Sequence, residues 1–254
     1  MSDDYDLDSG PDPATFAAAE PEPTDQDDPV YAVGIGPGNT AFLTPRGRRA
    51  IREADVVVGF ESVVEYVADV TDAELLTCGY ADEGETLAAF ADRVADGERG
   101  TAVLMGDPNH SGYQFVGKVQ RAVDQPVRVV PGISALQVAA SRARTPMEAT
   151  TFVTLHKSGD LEPDLDRLAR DVGERHLQVL PRPFDWMPGD VAAFLLDRGG
   201  DPGQDALVLE RLTHDDESIT RSTLGDLAEH AGGDDPEDSP FSDLSVLAVR
   251  TKER

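Results

Sequence analysis

Three polar residues come just after apolar runs that are typical of buried strands. Side chains at the ends of such strands commonly bind or transform small molecules. Asp107 follows residues 101–105, and its carboxylate could accept hydrogen bonds from a ribose or an amino group. His156 and Lys157 follow residues 150–155, where an imidazole could exchange a proton and an ammonium could bind a carboxylate. Simpler interpretations stay open, because Asp-Pro pairs start turns and a histidine after a strand is often a surface residue.

Small residues follow two further apolar runs. Residues 34–38 read Gly-Ile-Gly-Pro-Gly, and a glycine such as Gly36 lets the backbone approach a pyrophosphate. The dinucleotide fingerprint is incomplete, because Asn39 replaces its last glycine and Pro37 lacks an amide proton. Ser134 follows residues 127–130 and is a plausible helix cap. A nucleotide site and plain strand-to-loop turns therefore both remain possible.

The sequence contains no pattern typical of a metal centre or a covalent nucleophile. Its single cysteine, Cys78, excludes a disulfide framework and is flanked by apolar residues, so we expect it to pack in the core. The histidines lack metal-ligand spacing with one another, and we expect no metal; those considered are His110, His176, His214 and His230.

The composition is strongly acidic. The 254 residues include 49 Asp+Glu against 22 Lys+Arg, for a net charge of -27, and only three of the bases are lysines. This resembles proteins of salt-loving organisms, in which acidity is an adaptation to the solvent. We expect no nucleic-acid partner, since no basic stripe is present. Apolar runs fall far short of the roughly 20 residues of a membrane span, and no signal-peptide core follows the start, so we expect a cytoplasmic protein.

The order of elements predicts an α/β protein with two domains. Residues 1–29 carry ten acids and no base, and we expect this acidic tail to be disordered. Residues 30–145 alternate β-branched strands with helices, which predicts a parallel sheet covered on both faces. The apolar periodicity lapses at residues 141–149, where we place a boundary. Residues 150–254 predict a second α/β domain with more hairpin character.

Taken in order, five motifs resemble the tetrapyrrole methylase family, the S-adenosylmethionine enzymes of cobalamin and siroheme synthesis together with the diphthine synthases. The resemblance covers residues 30–250 and implies a two-lobed fold, with an N-terminal parallel-sheet domain and a C-terminal mixed-sheet domain. The matching segments are Val33-Gly34-Ile35-Gly36-Pro37-Gly38, Leu43-Thr44-Pro45-Arg46-Gly47, Ala54-Asp55-Val56-Val57-Val58-Gly59, Gly106-Asp107-Pro108 and Val130-Pro131-Gly132-Ile133-Ser134-Ala135.

Within that family, residues 131–139, 154–156, 209–212, 217–219 and 224–228 resemble the branch that methylates carbon 5 of cobalt-precorrin-7. This implies a cobalt-corrinoid tetrapyrrole substrate and cobalt-precorrin-8 as product. The chain has no room for the domain that methylates carbon 15 and decarboxylates, so that step would fall to a separate protein. Relatives are commonly homodimers. Methylation of another ring carbon, diphthine synthesis, and a tetrapyrrole- or nucleotide-binding regulator stay open as alternatives.

The resemblance also implies a cofactor and the residues that hold it. The cofactor would be S-adenosylmethionine, bound between the lobes by Gly36, Pro37, Asp107, His110, Ser134, Ala135, Leu180 and Leu209. An electron-rich ring carbon would attack the sulfonium methyl, a reaction in which positioning can supply most of the acceleration without a general base. We therefore expect His156 and Lys157 to orient the substrate.

Three segments depart from the family pattern. Residues 109–113 read Asn-His-Ser-Gly-Tyr where an aromatic-glycine pair is usual, and residues 156–158 read His-Lys-Ser in place of His-Gly-Arg. Residues 180–183 replace a segment that usually contains threonine.

Overall fold

The computed structural model describes residues 28–157, 159–183, 185–232 and 238–251. Residues 1–27, which make up nearly all of the acidic tail expected to be disordered, lie outside the described residues. The chain divides after Ser134 into two compact units. Each unit is described by itself below.

The first unit is built on five parallel strands in the order β3-β2-β4-β1-β5. The parallel sheet predicted for this part of the chain is therefore confirmed. Short 3-10 helices occupy Thr40–Phe42 and Glu65–Val70, and a π-helical turn occupies Pro108–Gly112. The main elements are β1 (Val30–Gly34), α1 (Pro45–Glu53), β2 (Val56–Phe60), α2 (Glu61–Val64), β3 (Glu74–Cys78), α3 (Glu83–Ala95), β4 (Gly100–Leu104), α4 (Tyr113–Ala122) and β5 (Val127–Val130).

Local sequence signals fix the start of α1. Thr44 is the N-cap, and its hydroxyl oxygen accepts a hydrogen bond from the Gly47 N–H at 3.1 Å. Pro45 follows at the first helical position, where its missing N–H costs nothing. The helix then buries Ala50 and Ile51 completely or nearly so. The cap, the proline and the apolar spacing together account for where this helix begins.

Strand β3 was missed by the sequence reasoning. It lies at the edge of the sheet and pairs only with β2 among the described strands. Its residues Glu74 and Thr77 are exposed while Leu75 and Leu76 are half-buried. An edge strand needs no continuous apolar run, since one side of it faces solvent, and the usual signal for a buried strand is therefore weak.

The helices of the first unit cover opposite faces of the sheet. Helices α1 and α2 pack on the face that carries Val33, Val57 and Val103. Helices α3 and α4 pack on the face that carries Ala32 and Leu104. The neighbouring strands β1 and β4 are thus followed by helices on different faces, which makes the gap between their carboxyl ends the switch point of the sheet. Open α/β sheets bind ligands in that crevice.

The second unit contains a mixed sheet in the order β6-β7-β10-β8-β9. Strands β6 and β7 are parallel, and the remaining pairs are antiparallel. The expected mixed sheet of the C-terminal part is confirmed. The elements are α5 (Ala135–Ala143), β6 (Thr150–Thr154), α6 (Glu162–Asp171), β7 (His176–Leu180), α7 (Pro188–Asp197), β8 (Asp205–Glu210), β9 (Ser218–Thr223), α8 (Leu224–Ala228) and β10 (Ser245–Val249).

Helix α5 is tied to the second sheet by a buried amide. The Gln178 side chain on β7 is fully buried, and it donates to the Leu136 carbonyl and accepts from the Ala140 N–H, both at 2.9 Å. Its oxygen also lies 2.7 Å from the Thr145 hydroxyl. Because these bonds join α5 to β7, the compact units divide before this helix, one helix earlier than the boundary expected at residues 141–149.

Across the described ranges, no helix is both long and apolar enough to cross a bilayer.

The second core predicts a sharp contrast between two leucines. Leu247 of β10 is 0% exposed, whereas Leu244, just before the strand, is 56% exposed. We expect Leu247→Ala to lower the free energy of unfolding by about 2–5 kcal/mol, because it leaves a cavity in a packed core. Leu244→Ala is the matched control and should change it by less than about 0.5 kcal/mol. Urea denaturation measures both, and equal effects would contradict the assigned core.

Candidate active site

Loops that follow three neighbouring strands meet at the carboxyl edge of the first sheet. Beyond β1 and β4, the Gly106 N–H donates to the Gly36 carbonyl at 2.8 Å, and the Gly36 N–H donates to the Gly106 carbonyl at 3.3 Å. Gly36 and Gly106 have φ angles of +89° and +65°, which side chains rarely tolerate. These two glycines therefore let the loops join by backbone alone.

Two further glycines take part in the same contact. A Cβ atom on Gly132, after β5, would lie 2.1 Å from the Gly106 carbonyl oxygen and 2.8 Å from that of Gly34. A Cβ on Gly34 would lie 2.6 Å from the Gly106 oxygen. The backbones of three loops are thus in direct contact, with no space for a side chain. Sequence reasoning emphasised Gly36 and missed this role, although each missed glycine stands at or just beyond the end of a parallel strand.

Asp107 directly follows Gly106, at the carboxyl edge of the sheet where the switch-point crevice opens. Its Oδ1 accepts a hydrogen bond from the Asn109 N–H at 2.7 Å and so caps the π-helical turn. The Asp107 carbonyl accepts from the His110 N–H at 3.0 Å. Within the described residues Oδ2 receives no hydrogen bond, which leaves one carboxylate oxygen to accept from a ligand. The two interpretations left open by the sequence, turn starter and ligand acceptor, are compatible, since each uses a different oxygen.

His110 lies within the π-helical turn and carries a buried nitrogen. Its Nε2 is shielded from solvent and has no hydrogen-bond partner among the described residues. Burial lowers the pKa of the imidazole below its usual value, and the nearby Asp107 carboxylate opposes this shift. The ring is therefore neutral near pH 7. Such π-helical turns frequently occur at functional sites.

The remaining cofactor candidates fall in both units. Ser134 is 8% exposed, and its Cα lies 3.8 Å from the position of a Cβ on Gly106, so it borders the glycine contact. Ala135 begins α5, and Leu180 ends β7 in a half-buried position. Leu209 of β8 is fully buried. The assignment of all eight candidates to the cofactor stays a prediction.

His156 and Lys157 follow β6 in the second unit. The Lys157 ammonium forms an ion pair with Asp164 of α6. Burial lowers the pKa of the His156 imidazole, while Asp243 and a hydrogen bond with the Pro181 backbone act in the opposite direction. A substrate carboxylate would have to compete with Asp164 for the ammonium. Their role in orienting the substrate stays a prediction.

The other residues considered for chemistry have structural surroundings. Cys78 is buried, and burial with nearby carboxylates raises the pKa of its thiol to about 12, so it does not form a nucleophilic thiolate. In the part of the chain that the structure describes, no group of three or more His, Cys, Asp or Glu side chains is placed to hold a metal ion.

Comparison with known proteins identifies the family. Residues 29–228 match the family model of the Tetrapyrrole (Corrin/Porphyrin) Methylases, and the chain belongs to this family. It is 26% identical over 78% of its length to the "Probable cobalt-precorrin-7 C(5)-methyltransferase" of Methanocaldococcus jannaschii, of which the match covers 91%. The family resemblance drawn from the motifs is confirmed.

Solved structures share the fold. A cobalt precorrin-4 methyltransferase superimposes with a TM-score of 0.68 at 21% identity, covering 87% of this chain and 93% of the other. The uroporphyrin-III C-methyltransferase of Thermus thermophilus, solved in complex with S-adenosyl homocysteine, superimposes with a TM-score of 0.63 at 22% identity, covering 87% and 91%. Tetrapyrrole methylases use S-adenosylmethionine, which confirms the cofactor expected for the family.

The glycine contact predicts an unequal effect of two similar substitutions. We expect Gly132→Ala to lower the free energy of unfolding by about 2 kcal/mol or more, because the new methyl group overlaps two backbone carbonyls. The matched control is Gly84→Ala on α3, where an added Cβ meets nothing within 4 Å. It should be neutral or stabilising by up to about 1 kcal/mol. Thermal and urea unfolding measure both, and similar effects would refute the contact.

Proposed function

We propose that this protein transfers a methyl group from S-adenosylmethionine to carbon 5 of cobalt-precorrin-7, giving cobalt-precorrin-8. Membership of the tetrapyrrole methylases supports the class of reaction. The single observation that carries the choice of ring carbon is the similarity to the probable cobalt-precorrin-7 C(5)-methyltransferase, which extends over 91% of that relative. The carbon-15 step would belong to a separate protein.

The crevice between the ends of β1 and β4 suits S-adenosylmethionine. Asp107 Oδ2 would accept hydrogen bonds from the polar groups of the cofactor, and the buried His110 Nε2 would offer a second polar atom, one that the described residues leave without a hydrogen bond. The backbone of Gly36 and Pro37, which follow β1, would border the ligand. The buried Ser134, which follows β5, would border it too. When bound, the cofactor supplies an electrophilic methyl group on a sulfonium.

The chain's own contribution to the reaction would be placement. Loops fixed by backbone contact keep Asp107 and Ser134 in place before the ligand arrives, so little ordering remains to be done on binding. His156 and Lys157 would orient the substrate, with Asp164 holding the ammonium until a substrate carboxylate replaces it. The carbon–carbon bond would form as the carbon–sulfur bond of the cofactor breaks, and the proton that the ring then loses would pass to solvent, so the proposed reaction uses no general base.

A methyl-transfer assay tests the ring carbon. Purified protein is incubated with cobalt-precorrin-7 and S-adenosylmethionine carrying a labelled methyl group, and the labelled carbon is located by NMR. We expect one methyl group on carbon 5. Label on another ring carbon would replace the specific assignment but keep the class. Label in a protein fraction would indicate diphthine synthesis, and tetrapyrrole binding without transfer would indicate a regulator.

Asp107 provides a test of the cofactor site. We expect Asp107→Ala to weaken S-adenosylmethionine binding about tenfold or more, because a hydrogen bond to a charged group contributes about 1.5–3 kcal/mol. Asp124→Ala is the matched control, since Asp124 is an exposed residue of the same unit beyond α4. Calorimetric titration in molar potassium chloride measures both. Unchanged affinity in the Asp107 variant, with folding preserved, would remove Asp107 from the site.

A further inference from the structure

One aromatic residue near the carboxyl edge of the first sheet is exposed. Tyr80 follows β3 by two residues and is 59% exposed. The other aromatic residues whose burial the structure describes are half-buried or buried. Single exposed apolar residues are common on protein surfaces, so the surroundings of this ring decide what its exposure means.

Two phenylalanine rings hold Tyr80 in an aromatic cluster. The centroid of the Phe60 ring lies 4.9 Å from that of Tyr80 and 5.4 Å from that of Phe115, with tilted ring planes in both pairs. Phe60 is half-buried, and Phe115 is buried in a core of the first unit. The backbone before Tyr80 is held too, because the Gly79 N–H donates to Asp82 Oδ1 at 2.7 Å. The exposed ring is therefore the outer surface of a packed cluster.

The aromatic cluster lies at the same edge of the sheet as the switch-point crevice. Strands β3, β2 and β4 are parallel neighbours, so their carboxyl ends lie along one edge. Phe60 is the last residue of β2, and Tyr80 lies just beyond β3. Phe115 is in the first turn of α4, which begins directly after the π-helical turn that Asp107 caps. The cluster thus lies beyond β2 and β3 on one side of β4, and the crevice borders β4 on its other side.

The tetrapyrrole substrate of the proposed function offers a surface that suits an exposed ring. Its four linked five-membered rings form a broad apolar face, and carboxylate side chains surround them. Neighbouring strands are about 4.8 Å apart, so a macrocycle whose reacting carbon faces the crevice extends over more than one strand end. In the described part of the first unit, Tyr80 is the only large apolar residue that is exposed. The β3 side of the edge is therefore where this unit can cover an apolar macrocycle face with a ring.

We propose that Tyr80 is a specificity-determining residue whose ring packs against the face of the tetrapyrrole substrate. Phe60 and Phe115 are positioning residues, because they hold the ring at the exposed edge. The contact lies away from the carbon that receives the methyl group, so it is equally strong in the bound substrate and in the transition state. It therefore strengthens substrate binding without changing the rate of methyl transfer. This inference rests on the proposed function, because the substrate is taken from it.

Steady-state kinetics of methyl transfer to cobalt-precorrin-7 test the contact. We expect Tyr80→Ala to raise KM for the tetrapyrrole about fivefold or more and to leave kcat within about twofold, the pattern of lost uniform binding. Calorimetry should give the same dissociation constant for S-adenosylmethionine in this variant and in the unmodified protein, because the ring contacts the substrate and not the cofactor. Tyr80→Leu serves as the second variant if Tyr80→Ala does not fold, and its KM should rise as well.

Two further variants are the controls. Tyr80→Phe keeps the ring and removes only the hydroxyl, so we expect it to keep the KM of the unmodified protein. Met147→Ala is the matched control for loss of an exposed apolar side chain, since Met147 is 52% exposed and precedes β6 in the second unit. Its KM should also stay unchanged.

The outcomes separate this inference from the proposed function. An unchanged KM in Tyr80→Ala, with methyl transfer retained, overturns the inference and leaves the proposed function intact. An equal rise of KM in Tyr80→Phe or in Met147→Ala overturns it too, since the ring would then not be responsible. A changed oligomeric state of Tyr80→Ala by light scattering, with KM unchanged, overturns it by assigning the ring to a contact between copies of the chain. If the folded, unmodified protein does not methylate the tetrapyrrole, the proposed function is overturned and the inference falls with it.

Discussion

The candidate site depends on a contact in which three loops meet backbone to backbone. Gly34, Gly106 and Gly132 follow or end neighbouring parallel strands, and a single added Cβ would lie as close as 2.1 Å to a carbonyl oxygen. At these positions a Cβ would point at the backbone of the neighbouring loop, so a side chain on Gly34 or Gly132 would force the loops apart. Because the loops are held by backbone hydrogen bonds and close contact, Asp107 and Ser134 begin from fixed positions.

The arrangement of helices creates the space that this contact borders. β1 is followed by a helix on one face of the sheet, and β4, its neighbour, by a helix on the other. The two chain segments diverge as they leave the sheet, which opens a crevice at the carboxyl ends. Burial on both faces is possible because residues along each strand alternate between the two apolar layers, as Ala32 and Val33 do.

Few charged groups act on the loop that follows β4 in this acidic chain. The net charge is -27, and the lysines with described partners are already neutralised, Lys118 by Glu83 and Lys157 by Asp164. Burial keeps the His110 imidazole neutral near pH 7, while the Asp107 carboxylate retains one oxygen without a hydrogen bond from the described residues. The charge acting on this ring is therefore that of Asp107, and the second oxygen of the same carboxylate is left to accept a hydrogen bond from a ligand.

The sequence by itself determined the family, the parallel character of the first sheet and the start of α1, because these depend on short motifs, on β-branched runs and on the Thr44-Pro45 cap. It also placed Asp107 and Ser134 directly after strands.

Only the tertiary structure decided that strands β4, β1 and β5 are neighbours, that Gly34 and Gly132 touch Gly106, and that α5 packs with the second sheet through Gln178. It also revealed the edge strand β3 and the buried nitrogen of His110. The physical reason is the distance along the chain. Capping and periodicity act between residues a few positions apart. Strand order, burial of one ring atom and contact between loops depend on residues about 30 to 100 positions apart, which meet only when the chain has folded.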